Sequence, residues 1–154
     1  MGRKYLSILY LTSDTFPPFR VDVKILIAQI LKSKGHTIEL VLRSEKGLRK
    51  SYTTRWNNCL VHVGKNEDKD STFYRAKKYV NGFLHDIQSL IKVRKKYFDC
   101  IIVKDKYISA LLGLFFSKIN GCRFFFWLSF PIAEAALYRS RIPNFRFRII
   151  NHVR

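Results

Sequence analysis

The sequence predicts an α/β fold: a doubly wound parallel sheet with helices on its faces. Short apolar runs of strand character recur along the chain, and segments of helical period separate them. The opening stretch from Lys4 to Gly35, followed by IELVL, reads in order as strand, loop, helix and strand.

Ser7 to Leu11 (SILYL) has the continuous apolar character of a strand buried on both faces. Val23, Leu26, Ile27, Ile30 and Leu31 recur at helical spacing as one wide stripe. Asp22 suits the start of that helix, and Gly35 the left-handed position after its end. The loop between them, SDTFPPFRVD, leaves the carboxyl end of the first strand, where such sheets bind ligands. Pro17 and Pro18 stiffen it, and it lacks the glycine trio of a dinucleotide site. Arg20, Asp22 and Lys24 bring charge there; ordinary solvent-exposed charges are the competing reading.

Thr37 to Leu42 is the second strand. RSEKGLRKSYTTRWNN is expected to be a polar loop, its basic residues interleaved with Tyr52 and Trp56 in the manner of a small nucleic-acid surface. Cys59 to Val63 is a third strand, with His62 a packed or edge residue, and Lys65 to Ser71 is a loop. Ala76, Tyr79, Val80, Phe83, Leu84, Ile87, Leu90 and Ile91 then mark a long helix with its apolar stripe on the sheet. Arg75, Lys77, Lys78, Lys92, Arg94, Lys95 and Lys96 fall on its outer face. Cys100 to Val103 is a fourth strand ending in Lys104-Asp105-Lys106. Tyr107 to Ile119 is a helix apolar nearly all round, too short to span a bilayer, and is expected to be buried. Arg123 to Leu128 is a fifth strand, followed by Ser129-Phe130-Pro131. The expected strand order is 3-2-1-4-5.

Across 154 residues, 47% apolar content fits one domain with a real core. Against 11 Asp and Glu stand 29 Lys and Arg, a net charge of +18 that favours nucleic acid, anionic lipid or phosphate-bearing partners. Cys59, Cys100 and Cys122 are an odd number without close spacing, which argues against disulfides or zinc and for a reducing cytoplasm. In the tail from Ile132 to Arg154, Arg139, Arg141, Phe145, Arg146, Phe147 and Arg148 suit an anionic membrane surface; packing on a further part of the protein is the equal alternative.

Charged residues thus gather at three strand ends: Arg20 with Asp22, Asp105 with Lys106, and Ser129 with Glu134. Asp105 and Glu134 could work as an acid/base pair. The sequence contains no GxxxxGK[ST] loop, HExxH, GxSxG elbow or Cys-His cluster.

Two blocks, ILYLTSDTFPPFRVDVKILIAQILKSKGHTIELV and FDCIIVKDKYISALLGLFFSKINGCRFFFWLSFPIAEA, resemble the N-terminal domain of GT-B glycosyltransferases of the GT4 type. Together they cover most of residues 4 to 138. The resemblance implies a Rossmann-like domain over 1–138, with 139–154 a basic aromatic tail leading to a missing remainder. It implies retaining transfer of a hexose from a nucleotide-sugar, without a required metal, to a glycan or lipid-linked acceptor. Arg20, Asp22, Lys24, Asp105, Lys106, Ser129 and Glu134 would line the acceptor wall of the cleft. The donor-binding E-x7-E pair is absent, so the chain is expected to be the acceptor half, inactive alone and completed by a C-terminal domain or second subunit. The implied place is the cytoplasm, peripheral on the inner face of the cell membrane. A basic binding module for nucleic acid or anionic membrane, or one subunit of a split glycosyltransferase, are the rival expectations.

Overall fold

The computed structural model describes residues 5–44, 47, 50–66, 72–93 and 98–129. Glu134, the tail with Arg139, Arg141, Phe145, Arg146, Phe147 and Arg148, and the basic side chains assigned to the outer face of the long helix lie outside the described residues.

The protein is α/β, with one six-stranded, mostly parallel sheet flanked by helices. The strands are β1 (Ser7–Phe16), β2 (Thr37–Ser44), β3 (Tyr52–Trp56), β4 (Cys59–Gly64), β5 (Cys100–Lys104) and β6 (Arg123–Trp127), in the spatial order β3-β4-β2-β1-β5-β6. Among the described strands only the β3–β4 pair is antiparallel. Strand alternation splits the core in two. On one face Ile8, Tyr10, Ile38, Leu40 and Val61 meet Val23, Ile27 and Ala28 of the helix Asp22–Leu31. On the other, Leu9, Leu11, Val41, Ile101 and Val103 meet Leu90 and Ala110, which belong to α1 (Thr72–Val93) and α2 (Tyr107–Asn120).

Four elements depart from the expectations. The supposed loop before Cys59 contains β3, so five expected strands become six. Asn57 and Asn58 both take positive φ (48° and 58°), forming the two-residue turn that lets β3 fold back on β4. Phe16 packs edge-on against the rings of Tyr52 and Trp56, at 6.5 and 6.4 Å. The first helix is wound as a π-helix. Its wider i→i+5 turn puts residues four and five apart on one face. Val23, Ile27 and Ala28 are therefore buried, while Leu26 and Ile30 of the expected stripe are exposed.

The third departure is α1, whose sheet-facing side carries Asp86, Ser89 and Leu90, all buried. Tyr79, Val80, Leu84 and Ile91 point to solvent. A polar anchor at Asp86 sets the rotation of the helix about its axis. The fourth is α2, which is half exposed: Ile108, Leu111 and Phe115 keep 67, 69 and 60% of their surface open. Its buried side consists of Ser109, Ala110, Gly113 and Ser117. Small residues let the helix backbone approach the sheet; a Cβ on Gly113 would stand 2.9 Å from the Phe124 ring and 3.0 Å from Val103. Gly121, at φ +66°, closes the helix in the left-handed conformation. No helix among the described residues is long and apolar enough to cross a membrane.

Candidate functional site

The carboxyl ends of β1, β2 and β5 come together at one edge of the sheet. The helix after β1 lies on one face and those flanking β5 on the other, so the connections diverge between β1 and β5, where such sheets open a crevice. Two charged clusters occupy this place.

The first is centred on Lys104, the last residue of β5 and 0% exposed. Its ammonium donates to Asp14 Oδ2 at 3.3 Å and to Asp22 Oδ2. Asp14 is available because β1 runs on to Phe16 through an irregularity between Leu11 and Thr15, where its register with β2 shifts. Thr12 Oγ1 donates to Asp14 Oδ2 at 2.9 Å. Arg20 spans Asp14 (Nε–Oδ1 3.1 Å) and Asp105 (Nη1–Oδ2 3.7 Å). Asp105 sits at φ +55°, and its Oδ1 accepts the Ser129 N–H at 2.8 Å. The hydroxyl of Tyr10 is buried with no hydrogen-bond partner among the described residues. Burial first, then the carboxylates of Asp22, Asp14 and Asp105, push it far above the ordinary tyrosine range, so it stays neutral.

The second cluster joins α1 to the start of α2. Asp86, 1% exposed, accepts Lys106 Nζ at 2.6 Å on Oδ1 and 2.5 Å on Oδ2, and Ser109 Oγ at 2.5 Å on Oδ2. Burial lowers the affinity of Lys106 for its proton; Asp86 works against that, and nearby Arg43 adds to it. Above this cluster opens a hollow of about 390 Å³, within the range of small-molecule sites. Ser13, Arg43, Asp105 and Lys106 supply polar lining, and Tyr79, Phe83 and Tyr107 supply rings. A second hollow of about 440 Å³, against Lys65, Asn81 and Gln88, holds none of these clustered charges.

Of the residues expected from the sequence, Arg20, Asp22, Asp105 and Ser129 meet around the first cluster, and Lys106 around the second. Ser129 contributes its backbone amide. Lys24 is exposed, and no side-chain contact joins it to either cluster among the described residues. The Asp105–Glu134 pair is not described, because Glu134 lies outside the described residues. His62 bridges Thr53 Oγ1 and Glu39 Oε2, each at 3.2 Å, on the far strands.

The sequence reading missed Asp14, Arg43, Asp86 and Lys104 as site residues. Asp14 lay beyond the expected end of the first strand, and Lys104 was grouped with its neighbours without being given a role. Asp86 had a legible signal, a carboxylate four residues before Leu90 on the face that the helix buries.

All three cysteines are free. Burial, followed by the neighbouring Asp99, raises the Cys100 thiol to about 11, so it acts as a small apolar group. Among the described residues no group of three or more His, Cys, Asp or Glu could hold a metal ion. No known protein-family model matches the chain, and no curated protein matches its sequence.

Proposed function

We propose that this chain is the acceptor-side domain of a GT-B-type glycosyltransferase, binding the glycan or lipid-linked acceptor to which a hexose is passed from a nucleotide-sugar. The observation that carries this reading is the 390 Å³ hollow at the sheet's carboxyl edge. Polar groups in the lining such as Ser13 and Arg43 can bond sugar hydroxyls, and aromatic rings offer flat faces to the C–H faces of a pyranose.

The donor belongs elsewhere on this reading. The first loop has no glycine trio, and Asp22 already places a carboxylate in the first turn of the following helix. A pyrophosphate approaching those amides would meet that charge. Arg20, Lys104 and Lys106 act in this proposal as positioning groups, holding the loop, β5 and α1 in the geometry that shapes the wall.

Calorimetric titration of the chain with oligosaccharides and with nucleotide-sugars tests the reading. Saturable oligosaccharide binding with no nucleotide-sugar binding is expected. Nucleotide-sugar binding at this edge, or saturable binding of oligonucleotides alone, would overturn it.

A further inference from the structure

We infer that the floor of the hollow is a subsite for a phosphate ester, with the Arg43 guanidinium as its principal ligand. This rests on the reading of the hollow as a ligand site and adds the class of group that its floor binds. Arg43 stands at the carboxyl end of β2, its backbone in register with Thr15 and Gly64. Its side chain runs beside α1 at Gly82, where a Cβ would come 3.7 Å from Nη2 and 3.8 Å from Nε. Both are ordinary van der Waals contacts, so the guanidinium lies directly against the helix backbone there.

Among the described residues Arg43 makes no hydrogen bond or ion pair through its side chain, and its Nε is sealed from solvent without an acceptor. The carboxylates nearby are committed: Asp86 to Lys106 and Ser109, Asp105 to the Ser129 amide and Arg20. Among the described residues Asp86 is bonded to Lys106 and leaves Arg43 without a bonded carboxylate. Repulsion between the two cations is felt at Lys106, whose proton affinity Arg43 lowers. A donor sealed from water without a partner is unfavourable, and the half-buried Arg43 lines the hollow, where an arriving oxyanion can meet its guanidinium. The planar fork of a guanidinium matches a phosphate through two parallel N–H···O bonds. Phe83, Tyr107 and Ile108 beside it leave an apolar and aromatic wall for whatever the phosphate is esterified to.

Calorimetry with inorganic phosphate, glucose 1-phosphate, citronellyl phosphate and free glucose, at fixed ionic strength, tests this. At least one phosphate ester should bind saturably and at least tenfold tighter than glucose. Arg43→Gln should weaken that binding at least tenfold, while Lys118→Gln, at the exposed far end of α2, should change it less than twofold. Stronger binding of glucose 1-phosphate assigns the subsite to a sugar phosphate, and stronger binding of citronellyl phosphate to a prenyl phosphate; either supports it. Should Arg43→Gln fail to fold, Arg43→Lys keeps the charge without the fork and should still weaken binding severalfold. In the unaltered protein the Arg43 Nε–H resonance should shift with phosphate.

No saturable binding of any ester, equal losses in Arg43→Gln and Lys118→Gln, or an unmoved Arg43 signal would overturn the subsite. Phosphate-ester binding without oligosaccharide binding keeps the subsite and removes the acceptor reading. Oligosaccharide binding with phosphate indifferent to Arg43 does the reverse.

Discussion

Replacing Asp86 by leucine strips the buried Lys106 ammonium of both its short hydrogen bonds and leaves the Ser109 hydroxyl without its acceptor. Removing one partner of a buried ion pair destabilises by about 3–5 kcal/mol, because the remaining charge stays uncompensated. Neutralisation of the lysine sets a ceiling. Its ordinary pKa is 10.5, and one unit is worth about 1.36 kcal/mol, so shedding the proton at pH 7 takes about 5 kcal/mol. A single domain has about 5–15 kcal/mol in total, so Asp86→Leu should leave a marginal protein at pH 7. Two further results follow from the same charge. Asp86→Leu combined with Lys106→Met should recover most of the loss, since a matched apolar pair replaces a buried ion pair without large penalty. Once the lysine is the neutral form in the folded variant, the penalty should shrink by about 1.4 kcal/mol per pH unit toward pH 10. Urea unfolding of the wild type, both single variants and the double variant at pH 7, 8 and 9 measures all of this. An Asp86→Leu loss under 1 kcal/mol, or a double variant no more stable than Asp86→Leu, would refute the buried-pair reasoning.

Gly113→Ala should lose about 1–3 kcal/mol, because the added methyl meets the Phe124 ring at 2.9 Å and Val103 at 3.0 Å and must push α2 off the sheet; an unchanged thermal midpoint would contradict that contact. His85 is half-buried, and burial chiefly lowers its proton affinity below the ordinary 6.5, against the hydrogen bond its ring donates to the His62 carbonyl and the charge of Asp86, with Lys106 and His62 adding to the lowering. The unfolded chain then takes up the proton more readily, so stability should fall as pH drops through about 6.5. His85→Gln should lose less stability than wild type between pH 7.5 and 5; equal losses in urea midpoint would argue against a neutral folded histidine.

The parallel strands were legible because burial on both faces demands continuous apolar runs, as in SILYL, IELVL, CLVHV and CIIV. The antiparallel edge strand was not, since Thr53 and Arg55 face solvent and lower the apolar signal. Its turn was nonetheless written in Asn57-Asn58 between Trp56 and Cys59, the residue type that tolerates positive φ. Helix faces misled for a different reason. Tyr107 to Ile119, apolar nearly all round, marked no one face for burial, whereas close backbone approach selected Ala110, Gly113 and Ser117 and left Ile108, Leu111 and Phe115 exposed. On α1 the ion pair of Asp86 outweighed the stripe of Val80, Leu84 and Ile91.

At the site, position was readable and pairing was not. Strand ends on a parallel sheet share one edge, which is why the sequence places Arg20, Asp22, Asp105 and Lys106 near one another. Which charge meets which depends on contacts across 82 and 90 residues for Lys104 with Asp22 and Asp14. No local pattern encodes those separations. Arg43 carried even less signal, because the subsite proposed for it rests on what its side chain does not contact.

The most direct test of the ligand site at the sheet's carboxyl edge is a chemical-shift map of the chain titrated with an oligosaccharide. The largest shifts are expected at Ser13, Arg43, Phe83, Asp105 and Lys106. Shifts confined to the hollow of Lys50, Asn81 and Gln88, or spread evenly over the basic surface, would contradict a binding wall at this edge.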